Sequence, residues 1–159
     1  MPGKISVSIT DKPIDIAAAY AFVSDTAHGA INSFIGAVRE TNLGRDVVGV
    51  SYDVFEPLAV KTLQKLCEKV SKSHGGKINI SMTHFMGRLD VGGISVAIIV
   101  STPHRAESFS ATRTLIEDLK HSAPIWKQEH YSDGDSEWVR GHALCQHGQE
   151  EDGKQHTHA

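Results

Sequence analysis

Gly92-Gly93-Ile94-Ser95-Val96-Ala97-Ile98-Ile99-Val100-Ser101 is the stretch on which the fold turns. The glycine pair bends the chain, and the run that follows is apolar at every position from Val96 to Val100. A strand with one wet face alternates, so an unbroken apolar run reads as a central strand covered on both sides. Downstream, Pro103 opens a helix whose expected buried stripe is Phe109, Thr112, Leu115, Ile116 and Leu119. Upstream, Ile78, Ile80 and Met82 alternate with Asn79, Ser81 and Thr83, a strand with one dry and one wet face. Before it, Pro57 opens a helix that lines Ala59, Leu63, Leu66, Cys67 and Val70 on one face and ends at His74-Gly75-Gly76.

Further out, Val48, Val50, Tyr52 and Val54 alternate within a strand at 47–55. Its expected hairpin partner is a strand over 29–39 that carries Ile31, Phe34, Ile35 and Val38. Asp11 followed by Pro13 marks a short helix at about 13–24. These elements predict an α+β architecture, with helices on one face of a mainly antiparallel sheet. One domain is expected over residues 1–141, and the polar, His-rich segment 142–159 is expected to be disordered.

Ser122-Ala123-Pro124-Ile125-Trp126-Lys127-Gln128-Glu129 carries the chemistry. Proline biases the residue before it away from helical geometry, so the third helix stops near Ala123 and the chain turns sharply. Lys120 lies in the last helical turn and Lys127 just past the bend, so the corner could aim two ammonium groups at one place. Cations held close repel unless an anion sits between them, which points to a phosphate or carboxylate site. Arg39, at the end of the 29–39 strand, and His104-Arg105, at a helix N-terminus, are further cations at element ends. His104 and Lys120 are separated by about 24 Å of helix, too far for one small substrate. The simplest arrangement that unites them is a composite pocket at a two-fold interface.

Composition narrows the class. The 159-residue chain has a net charge of −3, and residues 147–159 contribute −2 of it, so no broad basic field exists for nucleic acid. Two cysteines, Cys67 and Cys145, fit no disulfide framework or metal spacing and agree with a reducing compartment. No signal-peptide pattern or long apolar run is present, and a cytoplasmic location is expected. Ten histidines, including His142, His147, His156 and His158, match no ordinary metal site; no metal or cofactor is expected.

The chain resembles the large, catalytic subunit of molybdopterin synthase. The resemblance runs from about residue 29 to 139. It rests on Gly29-Ala30-Ile31, Phe34, Gly36, Val38-Arg39, Asn42-Leu43-Gly44, Glu56-Pro57-Leu58-Ala59, Gly87, Leu89 and Gly92. Ser101, His104-Arg105, Leu119-Lys120, the Ala-Pro-Ile-Trp-Lys run and Trp138-Val139 complete it. It implies an α/β hammerhead with an additional antiparallel sheet. It implies a sulfurtransferase of molybdenum cofactor biosynthesis that converts cyclic pyranopterin monophosphate to molybdopterin. It implies further that the two dithiolene sulfurs come from the thiocarboxylated Gly-Gly end of a small ubiquitin-like subunit, and that two large subunits form the homodimer at the centre of a heterotetramer.

By the same resemblance Lys120 and Lys127 are catalytic, and Val38, Arg39, His104, Arg105, Lys120, Lys127, Gln128 and Glu129 contact substrate. Phe85, Gly93, Asp53, Phe55 and Ala37 depart from the family pattern without touching that set. Arg140 follows Val139 directly, where the family often has an arginine a few residues later, and carries no assigned role. The competing reading is a non-catalytic scaffold for a ubiquitin-like partner; retention of both lysines and of His104-Arg105 argues against it.

Overall fold

The computed structural model describes residues 3–140. In chain order its first elements are β1 (Ile5–Thr10), α1 (Ile16–Val23), β2 (Ala30–Ala37), β3 (Thr41–Asn42), β4 (Arg45–Val54) and α2 (Glu56–Ser73). There follow β5 (Asn79–Phe85), β6 (Gly87–Asp90), β7 (Ile94–Thr102), α3 (Arg105–Ser122), β8 (Ile125–Tyr131), β9 (Gly134–Asp135) and β10 (Val139–Arg140). The His-rich segment 142–159 and Cys145 lie outside the described residues.

The unbroken apolar run is the centre of the molecule. β7 is buried at every position after Ile94 and sits inside a sheet of order β1-β5-β7-β2. On one face Val96, Ile98 and Val100 join Ile80 and Met82 of β5, and α2 and α3 cover them with Leu63, Cys67, Val70, Leu115 and Leu119. On the other, Ile99 packs against Ala19 and Val23 of α1. Helices therefore lie on both faces, not on one as expected. The reason is local: with β7 apolar on both sides, a second cover is required to keep Ile99 from water.

A second sheet has the order β10-β8-β4-β3, with β6 alongside β4 and β9 alongside β8. The hairpin expected between the 29–39 and 47–55 strands does not form. β2 pairs with β7, and β4 pairs with β3, β6 and β8. Leu43 and Gly44 both have positive φ, 53° and 73°, which closes a two-residue turn joining β3 to β4. That turn gives β4 its own short partner and sends it into the other sheet, while Val38 crosses between the two. Val38 anchors a small second core with Val47, Val50 and Tyr131.

Three smaller expectations are corrected. Of the polar residues expected to be wet on β5, Asn79 and Ser81 are buried and Thr83 stays partly exposed. Asn79 is buried, donating from Nδ2 to the Val23 carbonyl at 3.1 Å and to Asp25 Oδ2 at 3.2 Å while its Oδ1 accepts from Lys4 N at 2.8 Å. Phe109 is 62% exposed, because α3 turns Ser108, Ala111 and Thr112 to the sheet instead. Those small residues admit close approach of β2, whose Asn32 Nδ2 donates to Ser108 O and Thr112 Oγ1. The first helix is capped by Asp15, whose carboxylate accepts from Ala18 N, rather than by Asp11. β1 was not anticipated, although Ile5, Val7 and Ile9 alternate; it joins β5 in parallel at the sheet edge.

Leu63 is fully buried between α2 and the sheet. Leu63→Ala should destabilise the fold by about 2–5 kcal/mol, read from the midpoint of urea unfolding at an unchanged m-value.

Candidate functional site

The corner at Pro124 is built as its sequence requires. α3 ends with Ala123 in extended geometry, φ −73° and ψ 138°, and the Ala123 N–H donates to Leu119 O at 3.0 Å. Phe55 N–H donates to Pro124 O at 3.3 Å, tying the bend to the junction between β4 and α2. β8 then runs antiparallel to β4, placing Lys127 opposite Tyr52 and Glu129 opposite Val50. Residues directly opposite share a face, so Lys127, Glu129, Tyr52 and Val50 line the inner face of the second sheet.

Lys127 Nζ lies 2.6 Å from Glu129 Oε1, with the two side chains 26% and 11% exposed. A pair this sheltered holds its partners in fixed geometry and neutralises the lysine's charge locally. Lys120 is exposed and, among the described residues, makes no ion pair. A ring pair connects the surroundings of the two lysines. Tyr52, beside Lys127, stacks edge-on to His84 with centroids 5.0 Å apart. His84 in turn lies within the electrostatic reach of Lys120.

His84 is a buried imidazole, 4% exposed, whose Nδ1–H donates to the Phe85 carbonyl at 2.7 Å. Burial chiefly, and then the Lys120 ammonium, push its pKa down to about 4 despite that hydrogen bond. It therefore stays neutral beside the lysine, with its Nε2 lone pair unprotonated. His84 and Tyr52 were not among the expected site residues. Their signal was parity: His84 continues the dry-face series Ile78, Ile80, Met82, and Tyr52 lies between Val50 and Val54. Val48 leaves that series, 46% exposed, because a bulge between Val47 and Gly49 turns Val47 inward instead.

The cations divide between two ends of the first sheet. β2 and β7 are antiparallel, with Ala30 opposite Thr102 and Ala37 opposite Ile94. Arg39 follows β2 at the Ile94 end, and α3, leaving from the Thr102 end, returns Lys120 to it. His104 and Arg105 stay at the far end, exposed, where His104 is the N-cap residue of α3. One chain thus gathers Arg39, Lys120 and Lys127 near one end and leaves His104-Arg105 a helix length away.

Val38 and Gln128 have narrower parts. Val38 is 6% exposed, donates from N to Gly93 O at 2.9 Å and accepts from Gly92 N at 2.8 Å, so it positions Arg39 from within the core. Gln128 alternates to the opposite face from Lys127 and donates from Nε2 to Ser136 O. Arg140 lies over the Trp126 ring, 5.4 Å from its centroid, across the β8–β10 pairing. Cavities of about 620 and 680 Å³ involve Gly3, Ser71, His28, Asn79 and Pro103, remote from both lysines.

The model of the family described as MoaE protein matches residues 9–122. A molybdopterin synthase catalytic subunit of Synechococcus elongatus is 44% identical over 140 residues, 88% of this chain and 85% of that protein. The chain belongs to the MoaE protein family. Its counterpart in Nostoc, also named a molybdopterin synthase catalytic subunit, is 38% identical over 91% of this chain and 87% of its own length. Among solved structures, molybdopterin synthase from Staphylococcus aureus superposes with a TM-score of 0.76 at 30% identity, covering 86% of this chain and 96% of that one. A complex of subunits 1 and 2 of molybdopterin-converting factor from Helicobacter pylori gives a TM-score of 0.62 at 26% identity, covering 83% and 86%. The α/β hammerhead with an additional antiparallel sheet is thus the MoaE fold, and the two sheets described above are its parts.

The buried imidazole sets a pH dependence with a definite sign. Unfolded His84 takes up a proton below about 6.5, folded His84 only below about 4. Its contribution is complete above pH 6.5 and is lost as pH falls toward 4, by about 2 kcal/mol between pH 7 and pH 5. Urea unfolding of the wild type and of His84→Phe at both pH values should show the variant losing less stability by about that amount.

Proposed function

We propose that this chain is the catalytic subunit of a molybdopterin synthase, a sulfurtransferase of molybdenum cofactor biosynthesis. The observation that carries the reading is the 44% identity to a protein of that name over 88% of the chain. The joint placement of Lys120 and Lys127 around His84 and Tyr52 supports it. The substrate is cyclic pyranopterin monophosphate, and the sulfur donor is the thiocarboxylated Gly-Gly end of a small ubiquitin-like subunit. The Helicobacter pylori neighbour, a complex of two subunits, supports a partner of this kind. No helix among the described residues is long and apolar enough to cross a membrane, and the reading places the enzyme in the cytoplasm.

The residues divide the work by their surroundings. Lys120, which makes no ion pair among the described residues and lies near the neutral His84, takes the acyl end of the donor tail. It stabilises charge on the acyl oxygen as sulfur leaves and can pass a proton. Lys127 is held by Glu129, so it orients substrate or tail beside Lys120 instead of acting as a mobile base. Arg39 at the same end, with His104 and Arg105, holds the substrate phosphate, the arginines bidentately. His104 and Arg105 are a helix length from Lys120 of their own chain, so they serve the site of the second copy in a homodimer. A small subunit on each copy completes the heterotetramer.

Lys120→Ala should lower product formation from a preformed thiocarboxylated partner by at least about 100-fold. Near-normal turnover would remove this lysine from the mechanism, and a wild-type chain that binds the partner without transferring sulfur would favour the scaffold reading. The two-copy site has its own test. Co-refolded Lys120→Ala and Arg105→Ala chains, each inactive alone, should recover about a quarter of wild-type activity, because half of the dimers then contain one intact site. No recovery would place all the cations of a site on one chain.

A further inference from the structure

Ser51 on β4, His130 on β8 and Asp135 on β9 form a hydrogen-bonded chain. Ser51 Oγ lies 2.6 Å from His130 Nε2, and His130 Nδ1 lies 2.8 Å from Asp135 Oδ1. An ionised aspartate only accepts, so Nδ1 carries the hydrogen and Nε2 is left to accept from the Ser51 hydroxyl. The strands impose this geometry. His130 pairs with Asp135 across the β8–β9 turn and with Gly49 across β4, two residues before Ser51. The ring is sheltered, its side chain 10% exposed, and both of its nitrogens are engaged.

Arg88 joins the group. It is opposite Ser51 in the β4–β6 pairing, so both rise from one face. Its guanidinium lies over Gly49, where an added Cβ would stand 3.4 Å from both Nε and Nη2. The guanidinium thus rests in ordinary contact distance of the Gly49 position, which pairs with His130, while the tightest neighbour an added Cβ would meet there is the Leu89 carbonyl at 2.9 Å. Tyr52, Lys127 and Glu129 alternate to the other face of the same sheet, so this group is separate from the lysine site.

We propose that Ser51, His130 and Asp135 form a second, nucleophilic site that accepts small activated acyl groups from aryl esters and thioesters. Ser51 Oγ bonds to the acyl carbon while its proton passes to His130 Nε2. The bond from that carbon to the leaving oxygen or sulfur then breaks, and the leaving group takes the proton from His130. Water attacks the acyl-serine by the same proton route, releasing the carboxylic acid and restoring the hydroxyl. Asp135 keeps the ring in the required tautomer, and Arg88 takes the charge that develops on the acyl oxygen. The shelter of the His130 ring, its side chain 10% exposed, favours small acyl groups.

The full chain is treated with p-nitrophenyl acetate and, separately, with a fluorophosphonate, and read by nitrophenolate release, intact mass and peptide mapping. A single phosphonyl adduct on Ser51 is expected, and Ser51→Ala and His130→Gln should lower nitrophenolate release by at least about 100-fold. His130→Gln removes two hydrogen bonds and loosens the β8–β9 hairpin. Ser51→Ala removes only one, so at an unchanged melting temperature it is the deciding variant. Sulfur transfer by Ser51→Ala should be unaffected, which keeps this test independent of the function proposed above. An unlabelled Ser51, a label on another residue, or equal ester cleavage by Ser51→Ala would overturn the proposal.

Discussion

Pro124 ends α3 and commits the chain within two residues to β8, the strand that carries Lys127. Its carbonyl is claimed by Phe55 N–H at the end of β4, so the bend is bonded to both of the elements that flank it in space. Were the helix to continue, the register of β8 against β4 would be lost. Lys127 would then leave Tyr52, and the second sheet would lose its central pairing. The relation between the two sheets, and of Lys120 to Lys127, follows from this one steric restriction.

Around the corner, charge is managed by burial and pairing. Lys127 is held by Glu129, whereas Lys120 faces a histidine kept neutral by its surroundings. A neutral ring next to an ammonium avoids the repulsion that a charged one would add. Two lysines seven positions apart in sequence therefore occupy unlike environments. The opposite face of the same sheet carries Ser51, His130 and Asp135, and strand alternation keeps the two groups of side chains apart.

Much of this was legible from local pattern. The apolar run in β7, the helix face of Ala59, Leu63, Cys67 and Val70, and the stop at Ala123 are each dictated by neighbours within a few residues. The cations at element ends were legible for the same reason. Errors arose where the deciding partner was distant. Whether β2 pairs with β4 or with β7 depends on a turn at Leu43-Gly44 and on an edge of β7 some sixty residues away. Asn79 looked wet because alternation says which residues share a face but not whether a helix covers it. Phe109 looked buried because an aromatic outweighs serine and alanine in any hydrophobic count, although small residues let β2 and α3 approach.

The sequence by itself determined the three helices and the long strands after the first, the bend at Pro124 and the family. These rest on backbone sterics, side-chain periodicity and residue identity, all properties of short segments. Only the tertiary structure decided which lysine is paired, that His84 stands neutral between the lysines' neighbourhoods, and that Ser51 meets His130. Those outcomes depend on strand register and on the depth of burial, and both are set by contacts between segments that no local pattern encodes.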